Sequence, residues 1–207
     1  MTSLEQILEY KIVAILRGCV PERIPAIAAA LAGGGVCLLE ITLNSPGALE
    51  AIRGVTDTMG DKLLVGAGTV LTAAEAEAAI DAGARFILSP SLDIDTIRAT
   101  RQRGVVSIPG AFTATEILTA YRNGADIVKV FPASVGPSYF RDLRGPLPQI
   151  LLMPTGGVNL DNIREFRAAG AVAFGIGSAL APAGQEITPA ALQQLTAKAA
   201  EYIKAVK

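Results

Sequence analysis

Glycines stand just ahead of apolar runs at Gly35, Gly60, Gly83, Gly104, Gly124, Gly145 and Gly170, spaced 20 to 25 residues apart. No other feature of the chain constrains its fold as tightly. A glycine that closes a helix supplies the left-handed cap from which the next strand departs. A period of that size, kept over most of 207 residues, marks repeated strand–helix units. The apolar runs read as strands at Ile12–Arg17, Val36–Leu43, Leu63–Ala67, Phe86–Ser89, Val105–Ile108, Ile127–Phe131, Ile150–Pro154 and Ala171–Ile176. Helical stretches fill about 22–32, 46–59, 72–82, 93–102, 113–123, 137–144 and 159–168, with a last helix near 188–205 and a short leading one near 3–9. Thr72-Ala-Ala-Glu75 has the form of a capping box, and Asn159 can cap the helix that follows it. Pro21 and Pro46 fall where the first turn of a helix tolerates proline. Eight alternating units predict an α/β fold, a compact (β/α)8 barrel of the TIM type with a short N-terminal helix, in one domain over residues 1–207. The competing architecture is an open doubly wound sheet. Against it, the first βα turn, Arg17-Gly-Cys-Val20, carries no dinucleotide fingerprint.

Composition removes several functional classes. With 51% hydrophobic and 18% charged residues the chain must bury much of itself. A net charge of -1 and the lack of any basic block give no nucleic-acid partner. Long uncharged runs such as Gly145–Leu160 are broken by Gly and Pro and make poor membrane spans. The start, Met1-Thr-Ser-Leu-Glu5, lacks the basic-then-apolar order of a signal peptide. Cys19 and Cys37 lie in separate apolar segments and form neither a disulfide framework nor a metal motif, so a reducing cytoplasm is expected. There is no histidine, which excludes a histidine-based triad and most zinc and non-haem iron sites. Acid–base work must fall to Glu, Asp, Lys, Tyr or water, and an anionic ligand must be held by a few local groups.

In a barrel, reacting groups gather at the C-terminal ends of the strands. Lys129 is the lone charge in Ile127-Val-Lys-Val-Phe-Pro-Ala133. A desolvated lysine lowers its pKa, and the neutral amine is a nucleophile. The plainer alternative is a strand-end lysine reaching for solvent. Glu40 is likewise the lone charge in Val36-Cys-Leu-Leu-Glu-Ile-Thr-Leu43. It is read either as a general acid–base raised by burial or as a neutralising partner for a cation. Finding both in separate strands of one barrel favours catalysis. Gly156-Gly157 and Gly175-Ile-Gly177-Ser178 follow strands 7 and 8, where backbone N–H groups can approach a phosphate. Gly66-Ala-Gly-Thr69 is similar, with Thr69 its one side-chain donor. Arg17 can add a charge-assisted contact to an anion, or serve only in a surface salt bridge.

Taken together, these segments resemble the 2-keto-3-deoxy-6-phosphogluconate (KDPG) and 4-hydroxy-2-oxoglutarate aldolase family. The resemblance runs nearly end to end through Ile15-Leu-Arg-Gly18, Leu39-Glu-Ile-Thr-Leu43, Val65-Gly-Ala-Gly-Thr-Val70, Ser107-Ile-Pro-Gly110, Val128-Lys-Val-Phe-Pro132, Pro154-Thr-Gly-Gly-Val158 and Gly175-Ile-Gly-Ser178. It implies a homotrimeric class I lyase without cofactor or metal, acting on a 2-keto-3-deoxy sugar acid phosphate and releasing pyruvate. It implies Lys129 as the Schiff-base lysine, Glu40 as the general acid–base and Thr69 as a contact to the pyruvate carboxylate. Gly156, Gly157, Gly177 and Ser178 then fall on the phosphate-binding loops. Asn44 stands where several members have arginine, and Asn44-Ser-Pro46 is similar to enzymes of the galactonate epimer. Thr155 matches the gluconate-type enzymes, where galactonate-type members tend to have valine. Two other classes stay open: a cofactor-free sugar-phosphate isomerase or epimerase using Glu40 without a Schiff base, and a non-catalytic phosphometabolite-binding barrel.

Overall fold

The computed structural model describes residues 1–184 and 187–207. Helix α1 (Ser3–Tyr10) leads into β1 (Ile12–Leu16), and after a 3-10 turn at Pro21–Arg23 come α2 (Ile24–Gly33), β2 (Leu38–Thr42) and α3 (Ala48–Met59). Then follow β3 (Leu64–Gly68), α4 (Ala73–Asp81), β4 (Phe86–Leu88), α5 (Ile94–Gln102), β5 (Val106–Ile108), β6 (Gly110–Ala111) and α6 (Ala114–Arg122). The chain continues through β7 (Val128–Val130), α7 (Pro137–Arg144), β8 (Leu152–Pro154), α8 (Ile163–Ala168), β9 (Phe174–Ile176) and α9 (Pro189–Val206). Every segment read from sequence as a strand or a helix overlaps an element of that kind.

Local corrections have local causes. Five of the punctuating glycines, Gly35, Gly83, Gly104, Gly124 and Gly170, have positive φ, as their role as left-handed caps requires. Gly60 and Gly145 stay right-handed, with φ of -63° and -57°. The box at Thr72 is half formed. Its hydroxyl accepts from the Glu75 N–H, but the Glu75 carboxylate accepts from Leu71 instead of from Thr72. Asn159 does not cap α8, which begins at Ile163 behind Asn162. Its carboxamide oxygen accepts from the N–H groups of Asp161 and Asn162 and shapes the preceding turn. Pro46 lies outside α3, whose N-cap is Gly47.

The strands pair in parallel as a six-stranded sheet, β5-β4-β3-β2-β1-β9, and a three-stranded sheet, β6-β7-β8. The expected α/β fold of parallel strands is present, with the strands divided between two sheets. Pro109 splits the fifth strand in two, because proline has no N–H to donate. Hydrogen bonds nevertheless run along both edges between the sheets. Lys129 N–H donates to Pro109 O (2.9 Å) and Ile127 N–H to Ser107 O (3.4 Å). On the other edge Val172 N–H donates to Leu152 O (3.0 Å), and a parallel bridge joins Thr155 and Gly175.

Successive residues of a strand face opposite sides. One set, Val13, Leu38, Phe86, Leu88, Val106, Ile108, Met153 and Ala173, packs into an inner core drawn from both sheets. The fully buried Ile7 of α1 joins that core from below. The alternate set, including Ala14, Leu39, Ile41, Ala67, Val128, Val130, Leu152 and Phe174, packs outward against the helices. At about 25 cal/mol per Å2 of apolar area, the inner and outer layers together supply the main drive for folding. Among the described residues no helix is long and apolar enough to cross a membrane.

Candidate active site

The two-residue period of a strand decides where the reacting groups point. Leu38 faces the inner core, so Glu40 and Thr42 face the same way; Ile127 does, so Lys129 and Phe131 follow; Met153 does, so Thr155 follows. Glu40 is 0% exposed and Lys129 2%. Both carboxylate oxygens of Glu40 lack a hydrogen-bond partner, and no ion pair within 4.0 Å joins Glu40 to Lys129. Burial pushes the Glu40 carboxyl up from its ordinary value, opposed by the charges of Lys129 and Arg17. Burial likewise pushes the Lys129 amine down; Glu40 opposes that shift and Arg17 adds to it. For both groups desolvation is the largest influence, and it works against the charged form of each.

Two glycines of β3 make room for this arrangement. A Cβ built on Gly68 would stand 1.7 Å from Glu40 Oε1, and one on Gly66 would stand 2.3 Å from the Phe86 ring. These glycines are therefore notches for inner-face side chains. The sequence reading of Gly66-Ala-Gly-Thr69 as a possible anion-binding loop did not include this packing role. Thr69, just beyond, holds a left-handed φ of 56° although it is β-branched, a conformation that costs on the order of 1–3 kcal/mol. It is half-buried and lies next to the Glu40 notch.

A cavity of about 350 Å3 opens above these groups, at the C-terminal ends of β1, β8 and β9. Arg17, Thr155, Gly156, Gly157, Gly177 and Ser178 all line it, so six of the residues singled out in the sequence meet at one place. Lys129, Glu40 and Thr69 do not line it. Lys129 lies one ring below: its Nζ is 5.0 Å from the centroid of Phe131, whose ring does line the cavity. Phe131 had not been singled out, although its place two residues after Lys129 was a usable signal. Gly156 and Gly157 turn with φ of 80° and 87°, and a Cβ on Gly156 would press the Phe131 ring at 3.1 Å. Thr155 is 4% exposed, and its hydroxyl has no partner. It occupies the space that a side chain on Gly175 would take, 2.3 Å from that missing Cβ. Among the described residues no three His, Cys, Asp or Glu side chains gather as they would around a metal ion.

An amine held toward its neutral form, a carboxyl able to trade protons and an anion-ready mouth are what imine chemistry on a keto acid needs. The arrangement suits a carbon–carbon lyase on a parallel βα scaffold. The family model described as "Aldolase: KDPG and KHG aldolase" matches residues 4–197. The chain is 37% identical to the 2-dehydro-3-deoxy-6-phosphogalactonate aldolase of Escherichia coli (strain K12), over 95% of this chain and 94% of that one. It is 35% identical to the 2-dehydro-3-deoxy-phosphogluconate aldolase of Treponema pallidum, over 99% and 96%. The structure of the KDPG aldolase from Legionella pneumophila, with pyruvate captured at low pH as a covalent carbinolamine intermediate, superposes with a TM-score of 0.88 at 28% identity, over 96% and 97%. The chain belongs to the KDPG and KHG aldolase family, and it is an aldolase, a lyase.

Proposed function

We propose that this chain cleaves KDPG to pyruvate and glyceraldehyde 3-phosphate through a Schiff base on Lys129. The observation that carries the reading is the buried Lys129 amine, pushed toward neutrality and held without an ion pair near an unpartnered carboxyl. The neutral amine adds to the C2 ketone to give a carbinolamine. Loss of water, with the proton supplied by Glu40, gives an iminium. Glu40, now a carboxylate, takes the proton of the C4 hydroxyl directly or through a water. The C3–C4 bonding pair flows into the iminium, the aldehyde leaves, and an enamine remains. Protonation at C3 followed by hydrolysis releases pyruvate and restores the amine. Arg17 and Thr69 contact anionic or carbonyl oxygens of the substrate, and the N–H groups at Gly156, Gly157 and Gly177 with the Ser178 hydroxyl take the phosphate. We further infer that the two sheets, bonded along both edges with Pro109 interrupting one strand, are a single (β/α)8 barrel over residues 1–207. The working unit is inferred to be a cytoplasmic homotrimer.

The unpartnered Thr155 hydroxyl supports the gluconate epimer, since a buried donor left unpaired by the wrong configuration penalises it. Asn44 and the 37% identity to a galactonate-epimer aldolase favour a second reading, in which that epimer is the substrate. Cleavage of 4-hydroxy-2-oxoglutarate to pyruvate and glyoxylate is a third activity to assay. The test of the shared mechanism is reduction with borohydride in the presence of pyruvate, followed by peptide mapping. A reduced pyruvyl group is expected on Lys129 and should vanish in Lys129→Arg, whose guanidinium stays protonated. No adduct in an active enzyme would favour the isomerase or epimerase class. Binding without turnover on either epimer or on the hydroxy-oxo acid would favour a binding barrel.

A further inference from the structure

Arg17 lines the cavity, yet β1 and its ladder end one residue earlier, at Leu16. The last register pair between β1 and β2 is Leu16 with Ile41. Beyond it the chain turns through Gly18 at φ 66°, and the polar groups of the peptides around Arg17 need new partners. Two side chains of the neighbouring strand end provide them. The Thr42 hydroxyl donates to Leu16 O (3.3 Å), on the near side of Arg17. Gly18 N–H donates to Ser45 Oγ (2.8 Å), on the far side. The two hydroxyls are themselves 3.0 Å apart. Each hydroxyl has one proton, so with Thr42 donating to Leu16 O the Ser45 hydroxyl must donate to Thr42 Oγ1. The relay Ser45 to Thr42 to Leu16 O is then complete, with Gly18 N–H feeding its start. Thr42 is 0% exposed and Ser45 6%, so water does not compete for these bonds.

We propose that Thr42 and Ser45 are the positioning residues for Arg17: their hydroxyl relay fixes the peptide groups on both sides of it and so sets where its guanidinium stands over the cavity. Arg17 itself is exposed, with no ion pair to a carboxylate among the described residues, so nothing at its tip does this work. The relay substitutes for the strand ladder at the point where the chain must leave the sheet. Neither Thr42 nor Ser45 lines the cavity, and both act through the arginine. The inference rests on the reading of Arg17 as a substrate contact, and the test separates the two.

Ser45→Ala, Thr42→Val and the hydroxyl-keeping Thr42→Ser are measured alone and combined with Arg17→Ala. The readouts are KM and kcat on both phosphorylated epimers and the extent of borohydride labelling at saturating pyruvate. Arg17→Ala is expected to raise KM about tenfold or more, the usual worth of a hydrogen bond to a charged group. Ser45→Ala and Thr42→Val should each raise KM about three- to tenfold, while kcat and labelling hold. Thr42→Ser should recover most of the loss. On the Arg17→Ala background the same substitutions should add nothing to KM. Should Arg17→Ala raise KM while Ser45→Ala and Thr42→Val do not, the relay is overturned and the role of Arg17 stands. Equal losses with and without Arg17 overturn it too, by showing a general effect on the fold. An unchanged KM in Arg17→Ala removes both readings. If Thr42→Val does not fold, Ser45→Ala carries the same comparison.

Discussion

Gly68→Ala separates the fold from the chemistry more sharply than any change to a reacting group. Gly68 lies in β3 without a left-handed φ, so its backbone accepts alanine. Away from any clash, such a change stabilises a protein by roughly 0.4–1 kcal/mol. Here the new Cβ would stand 1.7 Å from Glu40 Oε1, 2.4 Å from Cδ and 2.7 Å from Cγ. Ordinary contact begins near 3.4 Å, so the carboxylate must retreat by about 1.7 Å. It can do so by rotating its own torsions, which limits the structural penalty to about 1–2 kcal/mol of overpacking. At about 2–4 °C per kcal/mol for a chain of this size, the melting temperature should fall by only about 2–8 °C. Catalysis is far less forgiving, since a displacement of about 1 Å at a reacting group can cost on the order of a hundredfold. Turnover should therefore drop by about a hundredfold or more, close to the loss expected for Glu40→Gln, which removes the proton transfer worth about a hundred- to ten-thousand-fold. The double variant should lose little beyond either single one, because both remove the same group. The assay is steady-state cleavage coupled to detection of pyruvate, with a thermal melt on the same samples. A folded Gly68→Ala protein with near wild-type turnover would falsify the placement of Glu40 in the mechanism.

Three further outcomes follow from the same geometry. Ser178→Asp sets a negative charge in the cavity wall and should raise KM for phosphorylated substrate by about tenfold or more, while an unphosphorylated 2-oxo acid suffers much less; equal losses on both would move the phosphate to another site. Thr155→Val keeps the volume and removes the hydroxyl, so the specificity constant for KDPG should fall more than that for the galactonate epimer, and an unchanged ratio refutes Thr155 as the selector. Lys129→Met should be more stable than wild type at neutral pH. The folded amine has a lowered pKa, so between that value and about 10.4 the unfolded chain binds the extra proton, and wild-type stability climbs with pH. Denaturant melts from pH 7 to 10 should show the gap narrowing; a constant gap would mean that Lys129 is charged in the fold.

The alternation of strands and helices was legible because it is local: a glycine that ends a helix and an apolar run that fills a strand are both written in consecutive residues. The lone charges of Glu40 and Lys129 were legible for the same reason, each standing out against its own strand. What could not be read is complementarity across the interior. Gly66 and Gly68 look like any glycine-rich turn until Phe86 and Glu40 are seen to occupy the space above them. Thr42 and Ser45 look like ordinary strand-end hydroxyls until the peptides flanking Arg17 arrive beside them from another strand. The sheet break at Pro109 was visible as a proline but not as a break, because strand pairing depends on neighbours about twenty residues away in the chain.

Helix α1 gives the reaction a direction. Ile7 packs into the inner core from below, and on the proposed chemistry substrate reaches Lys129 from the cavity beside Arg17 and Ser178. On the proposed chemistry, the water expelled on forming the iminium leaves by that opening, and the water that later hydrolyses it returns the same way. The aldehyde fragment, held nearer the mouth by its phosphate, stands between the bound pyruvate unit and solvent. On that reading the aldehyde departs before hydrolytic water reaches the imine, and a shared opening sets the order of product release.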